Sequence, residues 1–266
     1  MQPVSHLSSQ LQSLPQARGN PSLRIGLIDG PVDTTHAALQ DKPVLHIGGH
    51  ALGPGAIPAR HATFIATQLF ALCPACTLVS RPIFDRTSSP DPHMLADAIV
   101  DCLDGGARVV NLSLAVRFAT DVHRGLRDAL DHAARSGVLV VAAAGNEGSV
   151  GSSAVTQHPW VIPVAACDAE GRVTRESNLG RTIGSRGLLA PADARVGDAF
   201  RGTSVAAAHV TGVAALLWSL FPTAPASAVH AALRPDASAP RMVPPRLDAS
   251  MSYKTLSAQF PEAPHA

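Results

Sequence analysis

Short apolar segments alternate along this chain with longer segments in which apolar residues recur at helical spacing. A short segment that is apolar throughout predicts a strand buried on both faces, as strands of parallel sheets are. The predicted strands cover residues 23–28, 44–47, 77–84, 109–114, 138–143, 160–166 and 187–190. The predicted helices cover residues 61–72, 94–103, 122–135, 205–220 and 225–233. This alternation indicates a three-layer α/β fold, in which helices cover both faces of a mostly parallel, twisted sheet.

The two ends of the chain are expected to lie outside this domain. Residues 1–22 are rich in Ser, Gln and Pro, which predicts a mobile N-terminal lead-in. One folded domain is expected over residues 23–255, and residues 256–266 form a C-terminal tail.

Composition narrows the class of protein. Apolar residues make up 46% of the chain and charged residues 15%, which is typical of a globular protein. The net charge is +1 and there is no basic run, so we expect neither nucleic acid nor a membrane as a partner. No uninterrupted apolar stretch reaches the ~20 residues that span a bilayer. Because residues 1–20 also lack the features of a signal peptide, we expect a cytoplasmic protein.

Two of the four cysteines, Cys73 and Cys76, are spaced as a Cys-x-x-Cys pair. Such a pair can be a redox couple or half of a metal site. A zinc site needs four ligands at matched spacing, and the chain has no second pair of this kind. Plain buried thiols are the preferred interpretation, and no cofactor or metal is expected.

Several polar residues stand where a parallel sheet collects its functional groups. Asp29, Ser113 and Asn146 each follow a predicted strand, and ligands of such sheets bind at the carboxyl ends of strands. Ser204 follows a glycine turn and begins the longest apolar segment, where the free N–H groups of a helix start favour negative charge. His61 begins another predicted helix. Nucleophilic catalysis by serine needs a base, an anion that orients the base, and donors for an oxyanion.

Each candidate also has a simpler structural interpretation. Asp29 or the nearby Asp33 can be a turn residue, and Ser204 can be part of the N-cap of a buried helix. His61 can simply be a histidine at a helix start, and Asn146 can be a turn residue. These alternatives stay open when each residue is considered alone.

Four motifs in one order resemble the subtilisin-like serine peptidases, over roughly residues 23–255. The motifs are Ile28-Asp29-Gly30, Val110-Asn111-Leu112-Ser113-Leu114, Ala144-Gly145-Asn146, and Gly202-Thr203-Ser204 with Ala206, Ala207 and His209. With His61 between the first and second motifs, the order of the functional residues is Asp, His, Asn, Ser. His209 lies inside the long helix and is expected to be structural.

The resemblance implies a role for each candidate. Ser204 would attack the peptide carbonyl, His61 would transfer the proton, and Asp29 would hold the imidazolium. The Asn146 amide and the Ser204 N–H would bind the oxyanion. The residues that would bind substrate are Ser113, Leu114, Ala115, Ala144 and Gly145. One departure concerns His61-Ala62-Thr63-Phe64, where the family usually has His-Gly-Thr-His, and we expect changed packing there.

A finer resemblance concerns residues 29–33, Asp-Gly-Pro-Val-Asp, which are similar to a signature of cyanobactin-type maturation proteases. That group removes leader or follower sequences from ribosomally made precursor peptides. The expected partner is therefore a peptide or precursor peptide. Two alternatives are a general intracellular turnover protease and a catalytically inactive peptide-binding scaffold. A further hypothesis is that the N-terminal 20 residues cross the cleft and block it.

Overall fold

All seven strands of the sheet run parallel, in the order β2-β3-β1-β4-β5-β6-β7. The computed structural model describes residues 6–12, 14, 18–48, 52–53, 55–84, 91–114, 123–193, 200–234 and 240–263. The strands are β1 Arg24–Asp29, β2 Val44–His46, β3 Thr77–Pro82, β4 Ala107–Leu112, β5 Leu139–Ala143, β6 Val161–Cys167 and β7 Leu188–Pro191. The predicted parallel sheet is confirmed, and each predicted strand is present with shifts of a few residues at its ends.

Helices cover both faces of this sheet, as predicted. They are α1 His6–Gln12, α2 Ile57–Leu72, α3 Pro92–Asp104, α4 Arg124–Arg135, α5 Arg181–Arg186, α6 Thr203–Leu220, α7 Ala226–Leu233 and α8 Ala249–Ser257. Helices α2, α6, α7 and α8 pack on one face, and helices α3 and α4 pack on the other. The three-layer arrangement follows because the strands are apolar on both faces, so helices must cover each face of the sheet.

Strand β1 lies where the direction of the winding reverses. The chain continues from β1 to β2 and β3 on one side, and then crosses back to place β4 on the other side. Residues just beyond β1 and β4 therefore meet at a crevice at the carboxyl edge of the sheet, the usual ligand position in such folds. Asp29 ends β1 and Ser113 follows β4, so both lie at this crevice.

Helix α6 forms the centre of the larger core. All of its 18 residues are buried, and it contacts strands β4 to β7 as well as helix α2. It is the one helix, within the described part of the chain, that is long and apolar enough to cross a membrane. Its apolar run begins only at Val205, because the first two residues of the helix, Thr203 and Ser204, are polar. Complete burial inside the protein is typical of a core helix.

The N-terminal residues differ from the prediction. Residues 6–12 form helix α1, and Leu7 is buried in the larger core. Leu11 packs against the same core, and Gln10 accepts a hydrogen bond from the Ala249 N–H at 3.1 Å. Although this segment is rich in Ser and Gln, it contains two leucines at helical spacing, Leu7 and Leu11. Two such residues are enough to pack one short helix against the larger core. The mobility of residues 1–22 stays a prediction.

Residues 18–20 lie away from the cleft. The Arg18 carbonyl accepts a hydrogen bond from the Ala75 N–H at 2.7 Å, and Gly19 lies against the Cys73 thiol. Cys73 follows His61 by twelve residues of α2, which is about 18 Å at the α-helical rise. The hypothesis that this segment crosses the cleft is therefore wrong for residues 18–20. Helices α5 and α8 were also not predicted, because the sequences of both are largely polar.

Close approach of α2 to the end of β1 depends on Gly30. A Cβ at this position would lie 2.1 Å from the Pro58 carbonyl oxygen, inside the first turn of α2. Because the nearest atom is backbone and not the end of a flexible side chain, a methyl group could be accommodated only by moving α2 as a whole. Gly30 thus sets the distance between β1 and α2.

We predict that Gly30→Ala lowers the free energy of unfolding by about 1–3 kcal/mol, the usual cost of overpacking. The matched control is Gly125→Ala in α4, where a Cβ would meet no atom within 4 Å. That change should leave stability unchanged or raise it slightly, because alanine favours helix more than glycine does. Urea denaturation of the three proteins measures the difference. Equal stability of Gly30→Ala and wild type would show that α2 moves without cost.

Candidate active site

The end of β1 and the second turn of α2 bring Asp29 and His61 together. His61 Nδ1 lies 2.8 Å from Asp29 Oδ2 and 3.0 Å from Oδ1. The carboxylate is 1% exposed and also accepts the Gly30 N–H at 2.7 Å. A buried carboxylate needs such partners, because removing it from water is otherwise costly. His61 is the fifth residue of α2, so the prediction that it begins the helix is wrong: Pro58 fits the first turn, and the helix starts earlier.

Aromatic rings surround the other side of His61. The Phe200 ring contacts the imidazole edge-to-face with centroids 5.1 Å apart, and Phe64 contacts Phe200 at 5.3 Å. Phe64 therefore packs against the ring that contacts His61, and the changed packing expected from the departure in its motif stays a prediction. Phe200 was not predicted, since one phenylalanine before a glycine turn carries no distinctive pattern.

The pKa of His61 results from two opposing effects. Burial of the ring disfavours the imidazolium and lowers the pKa, whereas the charge of Asp29 and its hydrogen bond favour the imidazolium. The effects of Asp29 prevail, and the pKa of His61 lies above its ordinary value of 6.5. His61 is thus a base of increased strength whose Nδ1 is occupied by Asp29.

Ser204 is the second residue of α6, one of the positions whose N–H groups have no acceptor within the helix. Its hydroxyl donates to the Ser113 carbonyl at 3.0 Å, and no hydrogen bond joins it to His61 in the described structure. Phe200, four residues before Ser204, contacts the His61 ring, so the start of α6 lies next to the histidine. The hydroxyl must leave Ser113 before it can donate to His61.

The side chain of Asn146 faces the start of α6 in a defined orientation. Its Oδ1 accepts the Thr203 N–H at 2.9 Å and the Thr203 hydroxyl at 3.0 Å. Because a backbone N–H can only donate, Oδ1 must be the atom that faces Thr203. Gly202 permits this contact, since a Cβ there would lie 2.6 Å from Oδ1. The amide Nδ2 has no hydrogen-bond acceptor within the described residues and stays available as a donor.

Asn178 holds the loop that carries Asn146. Its Oδ1 accepts the N–H groups of Glu147 and Ser149 at 3.1 and 2.9 Å. Its Nδ2 donates to the Ala144 carbonyl at 3.2 Å and to Glu147 Oε2 at 2.5 Å. No sequence pattern marks Asn178, because its partners lie about 30 positions away along the chain.

The candidate substrate-binding residues differ in their position and in the backbone hydrogen bonds that they already make. Ser113 and Leu114 lie directly after β4 at the crevice, and Ala115 lies outside the described residues. The N–H groups of Ala144 and Gly145 already donate, to the Val164 carbonyl at 2.9 Å and to the Thr203 hydroxyl at 3.2 Å. Their carbonyl oxygens also accept from Asn178, that of Ala144 from Nδ2 at 3.2 Å and that of Gly145 from the N–H at 2.9 Å, so a substrate could use only the second lone pair of each oxygen.

The remaining candidates are structural. His209 is 1% exposed, and its Nδ1 contacts the Pro191 carbonyl at 3.1 Å, as expected for a core histidine. Cys73 and Cys76 are buried free thiols. Asp33 accepts from Thr35 within its own turn, so it does not compete with Asp29 for His61. The described residues contain no group of three or more His, Cys, Asp or Glu that could hold a metal ion.

The protein-family model described as the subtilase family matches residues 46–254 of this chain. The chain belongs to the subtilase family. Asp29 lies before the matched range, yet it contacts His61 inside that range. The resemblance inferred from the motifs is therefore confirmed, and the structure adds the aspartate that the family match does not cover.

Three known proteins are similar to this subtilase. The thermophilic serine proteinase of Bacillus sp. (strain AK1) is 32% identical over 224 residues, covering 76% of this chain and 53% of that protein. A mutant of the protease domain of PatA has a TM-score of 0.83 and 27% identity, covering 92% and 98% of the two chains. The prenylagaramide maturation protease PagA has a TM-score of 0.80 and 25% identity, covering 94% and 98%. The chain spans about half the length of the relatives that it matches in sequence.

We predict that Asp29→Asn lowers the pKa of His61, because burial then acts without the opposing charge. In wild type, the imidazolium adds to stability below about pH 6.5, and this contribution is lost as the pH rises through the raised pKa. The measurement is an NMR titration of the His61 ring. Asp33→Asn, which removes a carboxylate four residues away, is the control and should leave the titration unchanged. An unchanged titration in Asp29→Asn would contradict the assigned cause.

Proposed function

We propose that this subtilase is a serine endopeptidase that hydrolyses peptide bonds through an acyl-enzyme. Asp29, His61 and Ser204 are the proposed triad. The observation that carries the proposal is the hydrogen-bonded Asp29–His61 pair, at 2.8 Å, beside the helix start that bears Ser204. The carboxylate is buried and aimed at Nδ1, which leaves Nε2 as the atom that can accept a proton.

In the proposed reaction, the Ser204 hydroxyl leaves the Ser113 carbonyl and transfers its proton to His61 Nε2 while Oγ attacks the substrate carbonyl carbon. Asp29 stabilises the resulting imidazolium. Collapse of the tetrahedral intermediate breaks the C–N bond, and His61 returns the proton to the leaving amine. Water then repeats the sequence on the acyl-enzyme, and Ser204 is regenerated.

Two donors are proposed for the oxyanion of that intermediate. One is Asn146 Nδ2, whose orientation Thr203 determines, and the other is the Ser204 N–H at the start of α6. Thr203 holds the Asn146 amide and α6 holds the Ser204 main chain, which supports donors that need little reorganisation when the negative charge develops. The dipole of α6 favours the same charge.

The proposed substrate is a ribosomally made precursor peptide, bound in extended form beside Ser113 and Leu114 in the cytoplasm. The Asp-Gly-Pro-Val-Asp motif at residues 29–33 and the likeness to the PagA maturation protease support this substrate class. A general turnover protease is the alternative within the same chemistry. Cleavage of a precursor peptide at one defined bond supports maturation, whereas broad digestion of casein supports turnover.

One observation favours a second candidate function, a catalytically inactive peptide-binding scaffold. The Ser204 hydroxyl donates to Ser113 and not to His61. In an inactive scaffold this bond would persist, and the hydroxyl would never meet the base. A covalent test of Ser204 therefore separates the two candidates.

We expect a fluorophosphonate probe to label wild-type protein at Ser204 and to leave Ser204→Ala unlabelled, with mass spectrometry locating the adduct. Ser219→Ala is the matched control, because it removes another buried hydroxyl from the same helix, one that donates to the Ala215 carbonyl. It should be labelled as wild type is. Folded wild-type protein that resists labelling would refute the peptidase and favour the scaffold.

We expect Asn146→Ala to lower kcat by roughly 10²- to 10³-fold with a much smaller change in KM, because the lost donor acts on the transition state. Steady-state kinetics on a chromogenic peptide measure both parameters. Asn20→Ala, which alters a turn far from the site, should match wild type. A large rise in KM at unchanged kcat would assign Asn146 to substrate binding instead.

A further inference from the structure

A chain of buried hydrogen bonds links the middle of α6 to the end of β4. The Thr211 hydroxyl donates to Asn111 Oδ1 at 2.8 Å, and Asn111 Nδ2 donates to the Ser113 hydroxyl at 2.6 Å. Thr211 and Asn111 are both 0% exposed, so neither can reach substrate or solvent. The two residues are 100 positions apart in the chain, and only the tertiary fold pairs them.

The same chain continues to Ser204. The Ser113 hydroxyl donates to the Ser204 carbonyl at 3.1 Å, and the Ser204 hydroxyl donates back to the Ser113 carbonyl at 3.0 Å. Ser113 and Ser204 therefore hold each other through one hydroxyl and one carbonyl from each residue. This reciprocal pair fixes the start of α6 against the end of β4.

The direction of every bond in this chain follows from the chemistry of its groups. The Ser204 carbonyl can only accept, so the Ser113 hydroxyl gives its one proton to that carbonyl and must accept from Asn111. The Asn111 atom that faces Ser113 is therefore Nδ2, and Oδ1 accepts from the Thr211 hydroxyl. Removing the Thr211 hydroxyl would leave Asn111 Oδ1 without this partner and free the amide to turn.

We propose that Thr211 and Asn111 are positioning residues for the nucleophile, acting through the Ser113 hydroxyl on the main chain of Ser204. This inference rests on the proposed function, because it assigns a role in the reaction of Ser204. The Ser204 carbonyl also accepts the Ala208 N–H of the regular α-helix. Among the described residues, the Ser113 hydroxyl is the partner that joins this carbonyl to the end of β4, and it refines the position of the start of α6 relative to β4.

A purely structural role for the pair makes a different prediction. A buried amide must be satisfied, so Thr211 could serve only to stabilise Asn111 and the fold. In that case a variant that restores stability would also restore activity. If the pair positions Ser204, activity depends on the donor to Ser113 and does not return with stability alone.

The experiment measures the second-order rate of fluorophosphonate labelling at Ser204, which reports the nucleophile without peptide binding, together with the melting temperature. Thr211→Val removes the hydroxyl and keeps the shape of the side chain, whereas Thr211→Ser keeps the hydroxyl. We expect Thr211→Val to be labelled about 10-fold to 100-fold more slowly, the range that small misplacement of a reacting group produces. Thr211→Ser should be labelled at close to the wild-type rate.

The Asn111→Leu/Thr211→Val double variant separates positioning from stability. Replacing both partners of a buried hydrogen bond with apolar groups of similar shape can be nearly neutral for stability. Ser113 still lacks its donor in this variant, so we expect a melting temperature above that of Thr211→Val and labelling that stays slow. If Thr211→Val does not fold, the labelling rate of the double variant is compared with wild type instead. Ser219→Ala is the control for removing a buried hydroxyl from α6.

Wild-type labelling rates in Thr211→Val, or in the double variant, would overturn the positioning role while the proposed peptidase stands. Recovery of the rate in parallel with the melting temperature would likewise assign the pair to stability alone. Failure of folded wild-type protein to be labelled would overturn the proposed function, and the positioning role with it. Slow labelling in both variants, with rescue in Thr211→Ser, is the result that supports the proposal.

Discussion

Complete burial of α6 is the constraint on which the rest of the structure depends. A helix whose 18 residues are all inside the protein can neither rotate nor slide without breaking contacts with the sheet and with α2. Its first turn is therefore held at the carboxyl edge of the sheet, where the Thr203 N–H donates to Asn146 and the Ser204 N–H has no acceptor within the helix. The packing of α6 therefore determines where Ser204 lies. The polar groups around it refine a location that apolar burial has already determined.

The second constraint is the approach of α2 to β1. Gly30 allows the first turn of α2 to lie against the end of β1, so His61 reaches Asp29 in the second turn. The carboxylate is then both buried and satisfied, by the His61 ring and by the Gly30 N–H. Apolar contact with Phe200 occupies the other side of the ring. The His61 ring is consequently oriented by its contact with Asp29 and by packing together.

Polar hydrogen bonds tie α6 to the end of β4 and to the loop that carries Asn146. Asn111, on β4, reaches both Thr211 inside α6 and Ser113 beside the start of that helix. Asn178 holds the loop of Asn146 through hydrogen bonds to its backbone, and Thr203 orients the Asn146 amide. Each of these groups is satisfied by a partner far away in sequence. Polar networks of this kind specify one arrangement of a core that apolar packing alone would determine less sharply.

The sequence by itself determined the parallel α/β architecture. Strands that are apolar on both faces and apolar helices can be identified from the local pattern of residues, without knowing what they contact in the fold. It also placed Asp29, His61, Asn146 and Ser204 at strand ends and near helix starts. The tertiary structure alone decided that Asp29 meets His61, that Phe200 packs on the ring, and that Ser204 donates to Ser113. It also revealed α1, whose two leucines are a weak signal in a polar segment. The physical reason is that periodicity is a local property, whereas hydrogen bonds between residues 91 or 100 positions apart exist only after the sheet has formed.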